Sequence, residues 1–464
     1  MRLLLSLLSF FGYACCYKIL VYSPKIGHSH SNYVGRIADI LVDAGHDVTT
    51  LIPQLARDIA DGTTKSKIIH VPANEAAAAL NDQFMNDGEW NFFETKIIDL
   101  PMIFFGGPIF GGMMSDQCET TLDQPGLIDK LKKEKFDVVL TENFDYCGMA
   151  ISHLISPKAV IMLSSAVLMP IHYGDLGVPT VPSYNPSFYT TSLDVYSFVS
   201  RAWNLVSWLL STEEYETMRR NIQSMLKKRY GDDFPSFTEL TSRVAFALIN
   251  SEPLIDFATP SLHRVIPIGG LGARPPAKLN EYWSEILSRR PRNVLVSFGS
   301  VARTVQMNSA SKSAMLELFR FFPDVTFIWK YEAPNDTFGQ GDAAAVDNLV
   351  LSKWTPQNDI LSHPNISAFI SHGGSGSVQE TAIRGVPAIF IPLFGDQSRN
   401  AAMMEYNGLG KVLDKFDLDK PEILKATLRA VLEDEQFSKK AKHVSRMLAA
   451  KPFASKDLLL KWMP

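Results

Sequence analysis

The residues best suited to chemistry lie between Trp354 and Gln397, in the run WTPQNDILSHPNISAFISHGGSGSVQETAIRGVPAIFIPLFGDQ. Trp354 offers a flat apolar face on which a uracil ring can stack, and Gln357 is close enough in sequence to reach the base or its ribose. The apolar strand AFIS runs directly into His372-Gly373-Gly374-Ser375-Gly376-Ser377, after which a helix is predicted to begin near Val378. Strand, glycine-rich turn and helix N-terminus together aim several backbone N–H groups and the positive end of a helix dipole at one spot, which suits a diphosphate. Glu380, expected in the first helical turn, can accept hydrogen bonds from two ribose hydroxyls, and Gly385, Val386 and Pro387 end the helix. A second strand, AIFIP, delivers Asp396 and Gln397 to the same rim, where a carboxylate beside an amide suits adjacent sugar hydroxyls. In linear form, these are the parts of a nucleotide-sugar site.

The same residues carry a family resemblance. W-x-P-Q, the H-P after it, F-I-x-H-G-G, the E, the G-x-P and the final D-Q resemble the signature of the UDP-glycosyltransferases. The variant HGGxGSxxE followed by PLFGDQxxNA is most similar to the animal UDP-glucuronosyltransferase branch, in an invertebrate, nematode-like form. One departure is visible: vertebrate members usually carry Asn where this chain has Gly376. Backbone N–H groups or Ser377 must then fill that role.

The resemblance implies a general base in the loop after the first strand, where PKIGHSHSN holds His28 and His30. In family members the catalytic histidine lies sixteen residues before the histidine of a later G-H dipeptide, here Gly45-His46, which selects His30. That position, expected just before a helix, favours a neutral imidazole able to act as a base, and His28 reads as a solvated loop histidine. A histidine base works best with a carboxylate that orients it and stabilises the imidazolium. The family places an Asp after the strand FDVxxxD; the aligned residue here is Glu142, with Asp145 as the alternative. In NVLVSFGSV, Gly299 permits close backbone approach and the Ser300 hydroxyl can bond a phosphate oxygen. Asp417-Leu-Asp419 copies a metal-binding D-x-D but follows no strand, and His372 has no second His or Cys at ligand spacing, so no metal is expected.

Positioning these residues requires two sets of alternating strands and helices. YKILVYSP, DVTTLIP, FDVVLTE and AVIMLSS are strands of a first sheet, with a helix from about Asn32 to Ala44 between the first two. NVLVSFGS, VTFIWK, LVLSKW, AFISHGG and AIFIP are strands of a second. Alternation of this kind predicts parallel, doubly wound α/β sheets. Glycines and prolines in GGLGARPP mark the linker. The expected division is a signal peptide at 1–16, an acceptor-binding Rossmann-like domain at 17–268, a linker at 269–280, a UDP-sugar-binding Rossmann-like domain at 281–432, and a helical segment at 433–464 crossing back to the first domain. The resemblance implies the GT-B arrangement, with a cleft between two facing domains.

Composition narrows the class. The 464 residues are 46% hydrophobic and 20% charged, with 45 Lys+Arg against 49 Asp+Glu for a net charge of −4, so nucleic acid is not an expected partner. Met1 and Arg2 precede the apolar LLLSLLSFFGYA, which is too short to span a bilayer and reads as a cleaved signal. The expected location is the secretory pathway, in the endoplasmic reticulum lumen or outside the cell. No later apolar run reaches transmembrane length, although animal members usually end in a membrane-spanning helix; the chain as written reads either as a soluble form or as a truncated version. Cys118 and Cys147 remain after signal removal and fit either one disulfide or two separate buried thiols. Asn335-Asp-Thr337 and Asn365-Ile-Ser367 are glycosylation sequons, the second shielded by its place in the donor motif. The apolar segments at 100–114 and 191–211 could line an acceptor pocket or touch a membrane surface, with core packing as the plainer reading.

Together these readings predict an inverting transferase. It would move a hexosyl group, glucuronosyl before glucosyl, from a UDP-sugar to a hydroxyl of a small lipophilic acceptor, without enzyme nucleophile, metal or redox cofactor. An epimerase or phosphorylase could share the architecture but does not explain the W-x-P-Q to D-Q series. A dinucleotide dehydrogenase would need G-x-G-x-x-G after the first strand, which PKIGHSHSN lacks. A catalytically impaired binding protein for UDP-sugar or lipophiles is the alternative, and homo-oligomerisation is left open.

Overall fold

The computed structural model describes residues 16–86, 91–96, 98, 102–190 and 194–463; the expected signal peptide lies almost wholly outside them. The first sheet is built from β1 (Lys18–Tyr22), β2 (Asp47–Pro53), β3 (Lys67–Val71), β4 (Val138–Glu142), β5 (Ala159–Ser164), β6 (Phe246–Ile249) and β7 (Val265–Pro267). Its order is β3-β2-β1-β4-β5-β6-β7, with every pairing parallel. The second sheet contains β8 (Arg292–Ser297), β9 (Val325–Lys330), β10 (Leu349–Ser352), β11 (Ile366–Ser371), β12 (Ala388–Phe390) and β13 (Gly410–Val412), in the order β10-β9-β8-β11-β12-β13, again all parallel.

Strand sequences such as KILVY and RNVLVS are apolar on both faces because helices cover both sides of a parallel sheet. Alternation sends Leu20 and Tyr22 into one core layer and Ile19 and Val21 into the opposite one. Val294 and Val296 likewise oppose Leu295. In each sheet the order reverses once, between β1 and β4 and between β8 and β11. Ligands bind beyond the carboxyl ends of strands at such points. Glu142 at the end of β4, and His30, Ser300 and His372 shortly after β1, β8 and β11, stand at these points.

Several local expectations are corrected. The first helix is His28–Asp43, beginning four residues before Asn32, so His30 lies inside its first turn and not ahead of it. The donor helix is Ser375–Arg384, not one starting at Val378, which moves Glu380 into its second turn. Asp396 and Gln397 are not delivered by β12 directly but stand at the start of the helix Gln397–Tyr406. The sequence also hid an interdomain insertion: Phe92 and Phe93 enter the core of the second domain, where Phe93 meets Phe298 at 5.4 Å and Lys415 Nζ donates to Phe92 O at 2.7 Å. At the chain's end, helix Ser455–Lys461 packs on the first domain, burying Leu459 and Met463 with Ile19 and Leu271. Ser455 Oγ donates to Gly269 O at 2.6 Å.

Of the apolar segments, 100–114 divides its residues between core and cleft. Met113 and Met114 are buried in the core, while Ile103, Gly106, Gly107 and Phe110 face the cleft. Segment 191–211, described from Asp194 on, departs from core packing. In the first half of helix Phe198–Tyr230 the polar Asn204, Ser207 and Ser211 are buried, and Phe198, Val199, Trp203, Leu205 and Leu209 are exposed. Asn204 accounts for the inversion: its Oδ1 accepts from Ser187 N–H at 2.8 Å, and its Nδ2 donates to Asn185 O at 2.8 Å, so this face satisfies the preceding loop.

Cys118 and Cys147 form a disulfide with a Cα–Cα distance of 5.5 Å, resolving the two readings in favour of pairing. It ties helix Gly107–Leu122, whose Gly107 and Phe110 line the cleft, to helix Cys147–Ile155. Closing a loop of 29 residues' separation constrains the unfolded chain by about 3–4 kcal/mol. Cys118→Ala/Cys147→Ala is therefore expected to unfold at lower denaturant concentration, by about that free energy. A midpoint equal to that of the oxidised protein would contradict this.

Candidate active site

β1 ends at Tyr22, and the chain crosses the sheet edge to Gly27, whose extended backbone caps the next helix without a side-chain hydrogen bond. The first helical turn then presents both histidines to the cleft. His30 Nδ1 is 2.6 Å from Ser165 Oγ, and Glu142 Oε1 lies 3.5 Å from that hydroxyl and 3.8 Å from His30 Nδ1. Glu142 is fully buried, and the edge of Phe144 meets the His30 ring at 5.0 Å. The tautomer that links all three groups has Nδ1–H donating to Ser165 and the Ser165 hydroxyl donating to Glu142 Oε1, which leaves the Nε2 lone pair for a ligand. The histidine and carboxylate are thus linked through a serine that sequence reasoning missed. Its only linear signal was its place immediately after β5, at the mouth of the sheet.

Asp145, the alternative carboxylate, turns away. It accepts from Tyr22 Oη at 2.6 Å and from Cys147 N–H at 3.1 Å, and burial pushes its carboxyl up to about 7. His28 is not a solvated loop residue. It is half-buried on the cleft, 6.2 Å from the Trp354 ring, and burial, then the Lys330 charge, lower its pKa.

Across the cleft, the His372 imidazole is held between two glycines. A Cβ on Gly299, where φ is +85°, would stand 2.6 Å from His372 Nε2, and one on Gly374 would stand 2.4 Å away. Burial, reinforced by Lys330, pushes His372 down to about 4, so at neutral pH it can serve a phosphate as an uncharged N–H donor. Lys330, also missed in the sequence, donates to Gly299 O at 2.6 Å, pairs with Glu332 at 3.2 Å and lies 5.8 Å from the Trp354 ring centroid. Ser300 is exposed on the same wall. Gly374 caps helix Ser375–Arg384 without a side-chain hydrogen bond, which leaves its first N–H groups for a ligand. Gly376 faces open space, so no steric requirement fixes glycine there.

Trp354 is 63% exposed, a free face for a base. Gln357 Nε2 donates to Ser377 Oγ at 3.1 Å and to Glu380 Oε2 at 2.7 Å. One Glu380 oxygen thereby takes a hydrogen bond from Gln357, and the carboxylate keeps acceptor sites for ribose hydroxyls. Gln397 is corrected: its Oε1 accepts from the N–H groups of Leu393 and Phe394 at 2.8 and 3.2 Å, so only its Nε2 remains for a sugar. Asp396 Oδ2 accepts from Asn400 Nδ2 at 2.9 Å. Burial raises the Asp396 carboxyl above its ordinary value, offset only in part by the Asn400 hydrogen bond and the Arg399 charge. Asn250 bridges the walls, donating to Ser165 O at 2.9 Å and to Ser375 Oγ at 3.2 Å. Among the described residues no group of three or more His, Cys, Asp or Glu is placed to hold a metal ion.

The cleft between these walls has a volume of about 840 Å³ and an aromatic end formed by Phe110, Phe144, Phe188, Tyr189 and Tyr215. Two facing doubly wound domains around such a cleft define the GT-B class of glycosyltransferases. Solved structures agree: the glycosyltransferase of kitacinnamycin superposes with a TM-score of 0.66 at 18% identity, covering 97% of this chain and 100% of that one. Phytolacca americana UGT2, solved with UDP-2fluoro-glucose and pterostilbene, gives 0.61 at 15% identity, covering 96% and 99%. The chain belongs to the UDP-glucoronosyl and UDP-glucosyl transferase family, whose model matches residues 17–464. Among its relatives are ugt-47 of Caenorhabditis elegans, classed with the UDP-glucuronosyltransferases, at 29% identity over 99% of this chain and 86% of that one, and UDP-glucuronosyltransferase 3A1 of Bos taurus, at 28% over 96% and 83%. The protein is a UDP-glycosyltransferase, and both nematode and mammalian proteins stand among its relatives.

Proposed function

We propose that the enzyme transfers a hexosyl group, glucuronosyl in preference to glucosyl, from its UDP-sugar to a hydroxyl of a small apolar acceptor with inversion. The observation that carries this reading is the His30–Ser165–Glu142 chain, which leaves Nε2 of the imidazole facing a cleft whose other wall holds Asp396 and His372. The acceptor proton passes to His30 Nε2 as the acceptor oxygen bonds to the anomeric carbon and the bond from that carbon to the diphosphate oxygen breaks. One displacement inverts the centre. Negative charge developing on UDP meets the His372 N–H, the Ser300 hydroxyl and the uncapped N–H groups of helix Ser375–Arg384. Trp354 and Glu380 hold uridine, and Asp396 with Gln397 Nε2 hold the sugar. The names of the relatives favour glucuronosyl. Product mass after incubation with equal UDP-glucuronic acid and UDP-glucose tests this: a dominant glucuronide supports it, and a dominant glucoside overturns the preference.

The inverted helix supports a second element of the proposal, contact with a lipid surface inside the secretory pathway. Tyr196, Phe198, Val199, Trp203 and Leu209 form an exposed aromatic and aliphatic face with Arg201 as the one charge between 195 and 212, a composition suited to the interfacial layer. No helix among the described residues is long and apolar enough to cross a membrane. Trp203→Glu/Leu209→Glu is expected to reduce co-sedimentation with phosphatidylcholine vesicles about tenfold or more, since each buried apolar side chain contributes about 1.5–3 kcal/mol. Unchanged sedimentation would remove this element. Asn335 is exposed and Asn365 half-buried with its Nδ2 donating to Leu287 O, so glycosylation is proposed at Asn335.

A further inference from the structure

One carboxylate in the cleft takes no part in the transfer described above. Glu214 lines the aromatic end, next to Tyr215 on helix Phe198–Tyr230, and accepts from the Tyr189 hydroxyl. The cations lining the cleft are Arg36, Lys96, Arg274 and Lys330, and none forms an ion pair with Glu214. Tyr189 therefore supplies its one side-chain hydrogen bond among the described residues, and burial raises its carboxyl against that bond. A half-buried carboxylate without a cation is a natural partner for a positively charged ligand group, because desolvating it unpaired is costly. Gly107, at the start of the helix packed against this one, leaves the side chain room: a Cβ there would lie 3.5 Å from Glu214 Cγ, an ordinary contact.

The path from the base to this carboxylate is aromatic. His30 meets Phe144 at 5.0 Å, and Phe144 meets Tyr215 at 6.2 Å, edge to face in both cases. A ligand that places its hydroxyl at His30 and runs past these two rings brings its far end to Glu214. Resting on the reading of this cleft as the acceptor site, we propose that Glu214 selects lipophilic hydroxyl acceptors bearing a protonated amine at the end remote from the hydroxyl. The cation pairs with the free Glu214 oxygen, and the aromatic walls take the apolar middle of the molecule and add cation–π attraction.

The test is isothermal titration calorimetry at saturating UDP with two ligands, a phenol carrying a para dimethylaminobutyl chain and its isostere with CH in place of nitrogen. Wild type is expected to bind the amine about tenfold tighter, as one added ion pair in a partly desolvated site would give. Glu214→Gln keeps an oxygen for the Tyr189 hydroxyl but loses the charge, and is expected to bring the ratio of affinities to about one. Tyr189→Phe retains the charge and should retain the preference. Equal affinities in wild type, or a preference that survives in Glu214→Gln, would overturn the proposal. UDP release measured with the same ligands separates the two readings: amine-selective binding without acceptor-dependent release rejects transfer while sustaining selection by Glu214.

Discussion

Replacing His30 with alanine is expected to lower turnover by about 10²- to 10⁴-fold, the usual range for loss of a general base, while UDP binds with nearly its original affinity. The two effects separate because His30 stands on the first domain, and the uridine and diphosphate groups are assigned to Trp354, Gln357, Glu380 and the helix beginning at Ser375 on the second. Glu142→Gln should also lose rate, by about 10²-fold, because a neutral amide cannot stabilise the imidazolium that forms. Ser165→Ala removes the hydroxyl that joins them across 2.6 and 3.5 Å. Its signature should be a fall in kcat with an altered pH–rate profile and little change in the KM for UDP-sugar. If His28→Ala is the inactivating change and His30→Ala is not, the base has been misassigned, since His28 also faces the cleft beside Trp354.

The second large effect divides the donor site. Asp396→Asn should weaken the use of UDP-sugar about 10- to 100-fold, the worth of hydrogen bonds to a charged group, and barely alter binding of free UDP. Glu380→Ala should weaken both ligands by a similar factor, through the ribose. Asp396→Asn is a cleaner probe than any change at Gln397, whose Oε1 already secures the Leu393 and Phe394 N–H groups and whose loss would loosen that loop. Titration of UDP against each variant, set beside the KM for UDP-sugar, decides the matter. Equal losses for the two ligands in both variants would refute the division.

Much of the donor wall was legible in the sequence because its residues are local: strand, turn and helix follow one another from Ala368 to Arg384, so their order in the chain is their order in space. Helix starts were misplaced by three or four residues for a physical reason. Gly27 and Gly374 cap their helices without a side chain, so the Ser, Thr, Asp or Asn signal that marks an N-terminus is missing. Those bare N–H groups are what a phosphate can use. The acceptor wall was less legible because it is assembled from the ends of β1, β4 and β5, and Ser165 gains its meaning only when β5 lies beside β4. The Phe92–Phe93 insertion and the Asn250 bridge depend on how the domains face each other. Apolar residues at 198–209 read as core until Asn204 is seen facing inward.

The central claim is that the cleft couples departure of UDP to an acceptor hydroxyl. The most direct measurement is UDP release from UDP-glucuronic acid or UDP-glucose with and without a simple phenol, together with the anomeric proton coupling of the product. The account predicts release that depends on the phenol, one UDP per molecule of β-glycoside, and its loss in His30→Ala. Binding of UDP-sugar without phenol-dependent release, or an α-linked product, would contradict it.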